Sequence, residues 1–408
     1  MAAATLAMRL GCVTGAALSI TLALGGCGSG HGKYTSEGLN LAQERMATIK
    51  AGTEWDMARQ QFVVGDLKKA LKSVDQSISI NDSVAKSHNL RGRILFELGQ
   101  LESASESFKR ALAIDPSFVE SHYFLGVLYE RFGELEMALE KYQAAASLEP
   151  SSAQYTIAAA EMMIEADRLD AAENLLHNGN SFFEHNAGVH QTLGHIAMLR
   201  GDAERAATLF HEAQLLDPED TSILEDLVLA QMKSGDHVEA EYTLRRLMKD
   251  KDLQARRDLQ QLHARCLVAL DRPVEARTLL LGLTSDEKGM SDADIWVDLG
   301  QVAILLGDYQ RVRIAAGRLN AIAPERHEGP LLGAFWMRSQ GDLAGALKSV
   351  EKSRRLARSR DAMPSLVRGL ILRQMGRLSE AEASFAEALS IDPKDQRAQQ
   401  LLAGVDSN

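Results

Sequence analysis

The chain has 408 residues, of which 45% are hydrophobic and 25% charged, values that exclude global disorder. A formal net charge of −11 argues against nucleic acid as the main partner, because binding phosphate needs a basic field, which leaves room only for a local basic patch. The only cysteines are Cys12, Cys27 and Cys266, too few for a disulfide framework and without the clustering of a structural zinc site, so no metal or other cofactor is expected.

Taken from the N-terminus, the first feature is a leader. Arg9 is the only charged side chain before Lys33, and residues 10–26, LGCVTGAALSITLALGG, carry no charge at all. A short positive region, an apolar stretch and small residues make the layout of a secretory signal, and the stretch is short and Gly/Ala-rich for a permanent membrane helix. Leu24-Gly25-Gly26-Cys27 resembles the bacterial lipoprotein signal, with a plain signal peptide and an incidental cysteine as the other reading. The resemblance implies cleavage before Cys27 and lipidation of its thiol, with Gly28 at the next position pointing to the periplasmic face of an outer membrane. Residues 1–26 are thus expected as the signal peptide, 27–36 as a flexible tether and 37–50 as an N-terminal helix.

Beyond residue 50 the chain repeats itself. KSHNLRGRILFELGQLESASESFKRALAIDP (residues 86–116) matches ESHYFLGVLYERFGELEMALEKYQAAASLEP (residues 120–150) at a shift of 34. Ala70, Ala104, Ala138, Ala172, Ala206 and Ala240 keep that spacing, and Ala276, Val312, Ala346 and Ala381 continue it at 36, 36, 34 and 35. Five residues before the first alanines stand Gly65, Gly99, Gly133, Gly201 and Gly235, with Asp167 in the fourth unit. This pattern resembles the tetratricopeptide repeat family. It implies an all-α fold, a right-handed α-solenoid of about ten helix pairs over residues 51–395, with units starting near 51, 85, 119, 153, 187, 221, 257, 293, 327 and 362. Residues 396–408 are expected to form a C-terminal capping helix and tail.

The residue types have physical reasons. Gly92, Gly126, Gly194 and Gly300 fall mid-way along first helices, where glycine costs about 1 kcal/mol relative to alanine. Close approach of the paired helix is the expected compensation, with the second-helix alanine fitting the same crossing. Pro116, Pro150, Pro218, Pro324 and Pro393 are expected to end second helices, since proline lacks the amide hydrogen a helix needs. Three places depart from the pattern: the fourth unit, ending NGNSFFEHN; the sixth, with Val228 where a small residue is expected; and residues 250–292, where insertions and the polar SDEKGMSDAD suggest loosening within a continuous array.

No GxSxG, Walker, HExxH or GxGxxG motif is present, and the array leaves no room for a catalytic domain, so no enzyme is expected. His190 and His195 stand about 140° apart around a helix and do not converge on a metal. His88, His122 and His190 share one repeat position and are expected to pack at helix starts, and Cys266 is expected as a buried thiol. The basic runs RRLMKDK and RRLARSR read as solvated faces.

Resemblance to the family implies that first helices line a concave groove that binds peptide or protein. The repeat phase places Trp55, Arg59, Phe62, Lys86, Asn89, Arg93, Tyr123 and Val127 on it in the first three units, with Gln191, His195, Glu225, Gln261, Arg265, Phe335 and Arg338 later. Arg59 and Arg93 are one repeat apart, and paired guanidiniums suit a carboxylate or acidic peptide. The family's carboxylate clamp is not matched. The function expected is a non-enzymatic, lipid-anchored scaffold of the bacterial envelope serving secretion, pilus or envelope assembly, as in lipoproteins of this architecture that include pilus-assembly pilotins. The alternative is a structural or polymer-handling component of exopolysaccharide export or cell-wall binding, which clustered groove aromatics would favour.

Overall fold

The computed structural model describes residues 33–178, 183–358 and 361–404. Cys27 and the leader before it lie outside the described residues. Among the described residues there are 23 helices and no strand, and no helix is long and apolar enough to cross a membrane. Two compact units divide the chain, one ending at Leu125 and the other beginning at Gly126.

In the first unit α1 (Lys33–Val63) packs on α2 (Leu67–Ile80) and α3 (Ala85–Glu97) on α4 (Leu101–Ile114); the unit ends within α5 (Val119–Arg131). The second unit takes the rest of α5 and then α6 (Leu135–Leu148), α7 (Ala153–Glu165), α8 (Leu169–Asn178), α9 (Ala187–Leu199), α10 (Ala203–Leu216), α11 (Thr221–Ser234) and α12 (His237–Leu247). It continues with α13 (Lys251–Gln254), α14 (Arg257–Ala269), α15 (Pro273–Leu283), α16 (Glu287–Ser291), α17 (Ala293–Leu305) and α18 (Tyr309–Ile322). The last five are α19 (Glu328–Ser339), α20 (Leu343–Ala357), α21 (Met363–Gln374), α22 (Leu378–Ile391) and α23 (Gln396–Ala403). Within each unit the helices form antiparallel pairs in which first helices neighbour first helices: α1 beside α3, α7 beside α9, α17 beside α14 and α19.

Helix ends follow the punctuation of the sequence. Gly65, Gly99, Gly133, Gly201 and Gly235 all have positive φ, and Asp167 takes the same left-handed conformation at φ 56°. In several units the next residue is an aspartate that caps the second helix: Asp202 accepts from Arg205 N, Asp236 from Glu239 N, Asp308 from Arg311 N and Asp342 from Gly345 N. A Gly-Asp pair therefore ends one helix and starts the next within two residues. Helices α4, α6, α10, α18 and α22 each stop two residues before their proline. The start of the array differs from expectation. Residues 33–36 of the expected tether, the helix over 37–50 and the first repeat helix are all one continuous α1, because no proline falls between them and the two glycines, Gly38 and Gly52, are each tolerated at about 1 kcal/mol.

The core is set by matched volumes. All ten residues of the periodic position, Ala70 to Ala381 with Val312 among them, are fully buried. What the glycines make room for, however, is the residue four places on from those alanines. A Cβ at Gly92 would lie 2.6 Å from the Phe108 ring, one at Gly126 2.5 Å from Tyr142, one at Gly194 2.6 Å from Phe210 and one at Gly369 2.3 Å from Phe385. The crossing expected to seat the alanine thus seats an aromatic ring. Where the first helix carries more volume, the second carries less: Ala264 shares a core with Leu280, Ala334 with Val350, and the unexpected Val228 with Leu244. Gly300 faces Leu332 of the next first helix instead.

The insertions are ordered rather than loose. They form α13 and α16, each capped by an aspartate, Asp250 and Asp286. Arg257 holds Asp286 at 2.8 Å, Trp296 Nε1 donates to Gly289 O at 3.1 Å, and Arg318 Nε to Met290 O at 2.8 Å. Gly289 is required there, since a Cβ would meet the Leu283 carbonyl oxygen at 1.7 Å. Packing runs on through this region on the two sides of α14: Leu259 and Cys266 join the α11–α12 core, while Ala264 and Leu267 join that of α15–α19.

Candidate interaction surface

One repeat position secures the starts of first helices. His88 Nε2 bonds Asp82 O at 2.8 Å, His122 Nε2 bonds Pro116 O at 2.9 Å, and His190 Nε2 bonds Glu184 O at 3.1 Å. Each carbonyl lies six residues upstream, so the ring nitrogen carries the hydrogen and donates. Gln260, Trp296 and Gln399 make the same bond to Gln254, Met290 and Pro393. These histidines are loop fasteners that orient the first helices.

On the first unit the fastened helices bring the expected face together. Trp55, Arg59 and Phe62 line one side of α1 at spacings of four and three, and Lys86, Asn89 and Arg93 do so on α3. Trp55 Nε1 donates to Lys86 O at 3.2 Å, and the Lys86 ammonium lies 4.1 Å from the centre of the Trp55 ring. Arg59 approaches the same ring at 5.3 Å, and its nearest carboxylate, Asp56, stands 3.9 Å away. Arg93 sits between two phenyl rings, 5.1 Å from Phe62 and 5.4 Å from Phe124. Its Nε is buried without a hydrogen-bond partner, because neither ring can accept in its plane. An orphan donor of this kind costs about 1–3 kcal/mol. Among the described residues neither Lys86 nor Arg93 is paired with a carboxylate.

Two expected members stand apart. Asn89 is buried: its amide donates to Glu120 Oε2 at 2.9 Å and accepts from Ser121 at 3.0 Å, which makes it a fastener between α3 and α5 rather than a contact residue. Val127 is half-buried and belongs to the second unit. Phe124 was not anticipated. It stacks on Phe108 with ring centres 5.4 Å apart and meets Tyr123 edge-on at 5.5 Å. The tandem Tyr123-Phe124 is its signal in the sequence, since adjacent aromatics on one helix cannot both point into a single core.

On the second unit the first-helix residues largely satisfy one another. Gln191 and His195 of α9 both reach Asp226 of α11 at 2.8 Å. Gln261 and Arg265 of α14 converge on Asp298 of α17 at 2.6 and 2.9 Å. Burial raises the Asp298 carboxyl above its ordinary range against the opposing pull of Gln261 and Arg265. Glu225 takes both terminal nitrogens of Arg256, and Arg338 donates to Gln374 at 2.9 Å. Guanidinium, ammonium and indole groups on these faces donate hydrogen bonds, and the cations among them attract anions.

Comparison with known proteins agrees with the repeat. Models of the tetratricopeptide repeat match residues 92–133, 121–154, 192–252 and 366–395. No protein with a curated description matches the sequence. Among solved structures, a tetratricopeptide repeat protein from Parabacteroides merdae is 15% identical, covering 62% of this chain and 99% of its own, with a TM-score of 0.46. The pilF protein of Pseudomonas aeruginosa is 20% identical, covering 50% and 91%, with a TM-score of 0.42. YrrB, described as a TPR protein with an unusual peptide-binding site, is 17% identical, covering 47% and 95%, with a TM-score of 0.38.

Proposed function

We propose that this chain of tetratricopeptide repeats is a non-enzymatic scaffold, lipid-anchored through Cys27 in a bacterial envelope, on the periplasmic face of an outer membrane. It binds an acidic segment of a protein partner through the first-helix face and serves secretion, pilus or envelope assembly. The observation that carries the binding reading is the set of cations on the first unit, Arg59, Lys86 and Arg93, of which the last two lack carboxylate partners among the described residues. The anchor reading rests on the order of Arg9, the uncharged run, Leu24-Gly25-Gly26 and Cys27. The polymer-handling alternative is less well supported, because Lys86 and Arg59 lie over the Trp55 ring and Arg93 over Phe62 and Phe124, where a sugar would stack.

Two measurements test this. Metabolic labelling with a fatty-acid precursor marks the wild-type protein and not Cys27→Ser; equal labelling of both removes the anchor. Photocrosslinking from Asp56, exposed on α1 with its carboxylate beside Arg59, recovers one protein, and Arg59→Glu/Arg93→Glu abolishes that product. Recovery of glycan alone reverses the choice between the two readings.

A further inference from the structure

The second unit carries a different surface. A cleft of about 510 Å³ opens on the first helices α17, α19 and α21, within the range of about 300–1,000 Å³ that ligand clefts occupy. Its floor is apolar: Val297, Leu331, Phe335 and Met363 line it, and Leu305 is 62% exposed within it. Leaving such side chains in water is unfavourable, and a patch of this kind marks a place where another surface docks.

The charges around the cleft are not balanced. Its two carboxylates are already engaged inside the fold, Glu328 by Arg326 at 2.6 Å and Asp361 by His327 at 2.8 Å. The one cation lining it, Arg397 from the start of α23, is exposed and pairs with no carboxylate among the described residues. Gln301 adds an exposed amide to the floor, suited to a peptide backbone and of no use to an acyl chain. A second copy of the chain is a poor occupant, since a self-complementary contact would set Arg397 against carboxylates that are already paired.

We infer that this cleft is a second docking site, for a partner segment that carries apolar side chains beside an Asp or Glu. The apolar side chains cover Leu305, Leu331 and Phe335, and the carboxylate pairs with Arg397. The site is independent of the cation–aromatic face of the first unit.

The test uses the full chain carrying Arg59→Glu/Arg93→Glu, so that the acidic-segment face of the first unit does not contribute, and two fluorescein-labelled peptides, one with three leucines next to Asp-Glu and one with the same leucines next to Lys-Lys, read by anisotropy. The acidic peptide is expected to bind at least about tenfold more tightly. Arg397→Glu reverses the preference, and Leu305→Asp weakens both peptides by about tenfold or more. Both positions are exposed, and unchanged circular dichroism melting checks that the variants fold. The inference is overturned by the absence of saturable binding, by a preference that survives Arg397→Glu, by dodecanoate filling the cleft when neither peptide does, or by concentration-dependent dimerisation that Leu305→Asp abolishes.

Discussion

At the scale of single residues, this chain trades volume between the two helices of a pair. Gly92, Gly126, Gly194 and Gly369 on first helices go with phenylalanine or tyrosine sixteen residues on, alanine goes with leucine or valine and Val228 with Leu244, whereas Gly300 makes room for Leu332 of the next first helix. Gly194→Ala is expected to destabilise by about 1–3 kcal/mol through contact with Phe210, less the ~1 kcal/mol gained in helix propensity. Gly194→Ala/Phe210→Leu, which copies the Ala264/Leu280 pair, recovers part of the loss. Gly317 also lies inside a helix but has open space where its Cβ would be, so Gly317→Ala gains up to ~1 kcal/mol. Urea denaturation of the three variants decides the matter; equal effects at 194 and 317 would mean that the ring contact does not matter. The pairing was legible in part. Recurrent glycine and alanine announced tight crossings, but the ring that fills them is one of several large residues on the second helix, and only three-dimensional packing selects it.

At the scale of elements, loops are held by side chains that reach back across them. His327, at the start of α19, shows this with a pH dependence. Its hydrogen bond to Asp361 raises its pKa, and the same bond lowers that of Asp361. The Glu328 carboxylate also favours the charged imidazole, while Arg326 opposes it. The histidine contribution to stability is complete below its unfolded pKa of about 6.5 and is lost as pH rises through the higher folded value. The aspartate contribution is complete above about 3.9 and is lost as pH falls through the lower folded value. Both are therefore present together between about pH 4 and 6.5. His327→Gln should cost most stability near pH 5.5 and progressively less above about pH 7, followed by thermal melts across that range. A cost that does not vary with pH would show the pair to be uncharged. Neither this link nor the tethering of α16 by Arg257, Trp296 and Arg318 was visible in the sequence, where SDEKGMSDAD reads as a polar loop. The groups that hold it come from three other helices.

At the scale of the whole molecule, the two units each stack helix pairs with their own buried cores. Cys266 reports on the second. It is fully buried against α11 and α12, with Sγ 3.2 Å from His237 O, and burial pushes its thiol pKa up to about 11. In the Cys12→Ser/Cys27→Ser chain, iodoacetamide should not react in native buffer and should begin to react at the urea concentration where helical dichroism is lost. Reaction well before that point would reveal local opening around α14. What the sequence by itself determined is the repeating hairpin: its period, its left-handed turn residues, its proline stops and the burial of all ten periodic positions. These are local or nearest-neighbour constraints, so one-dimensional order carries them. Tertiary structure alone decided the surfaces. Arg93 lies between Phe62 and Phe124, two residues from neighbouring first helices, and Asn89 turns inward to Glu120 and Ser121. Arg397 overhangs a cleft floored by α17, α19 and α21. Such sets are drawn from helices that sequence separates by thirty residues or more, and which cation is left without a carboxylate depends on distances that no spacing rule encodes.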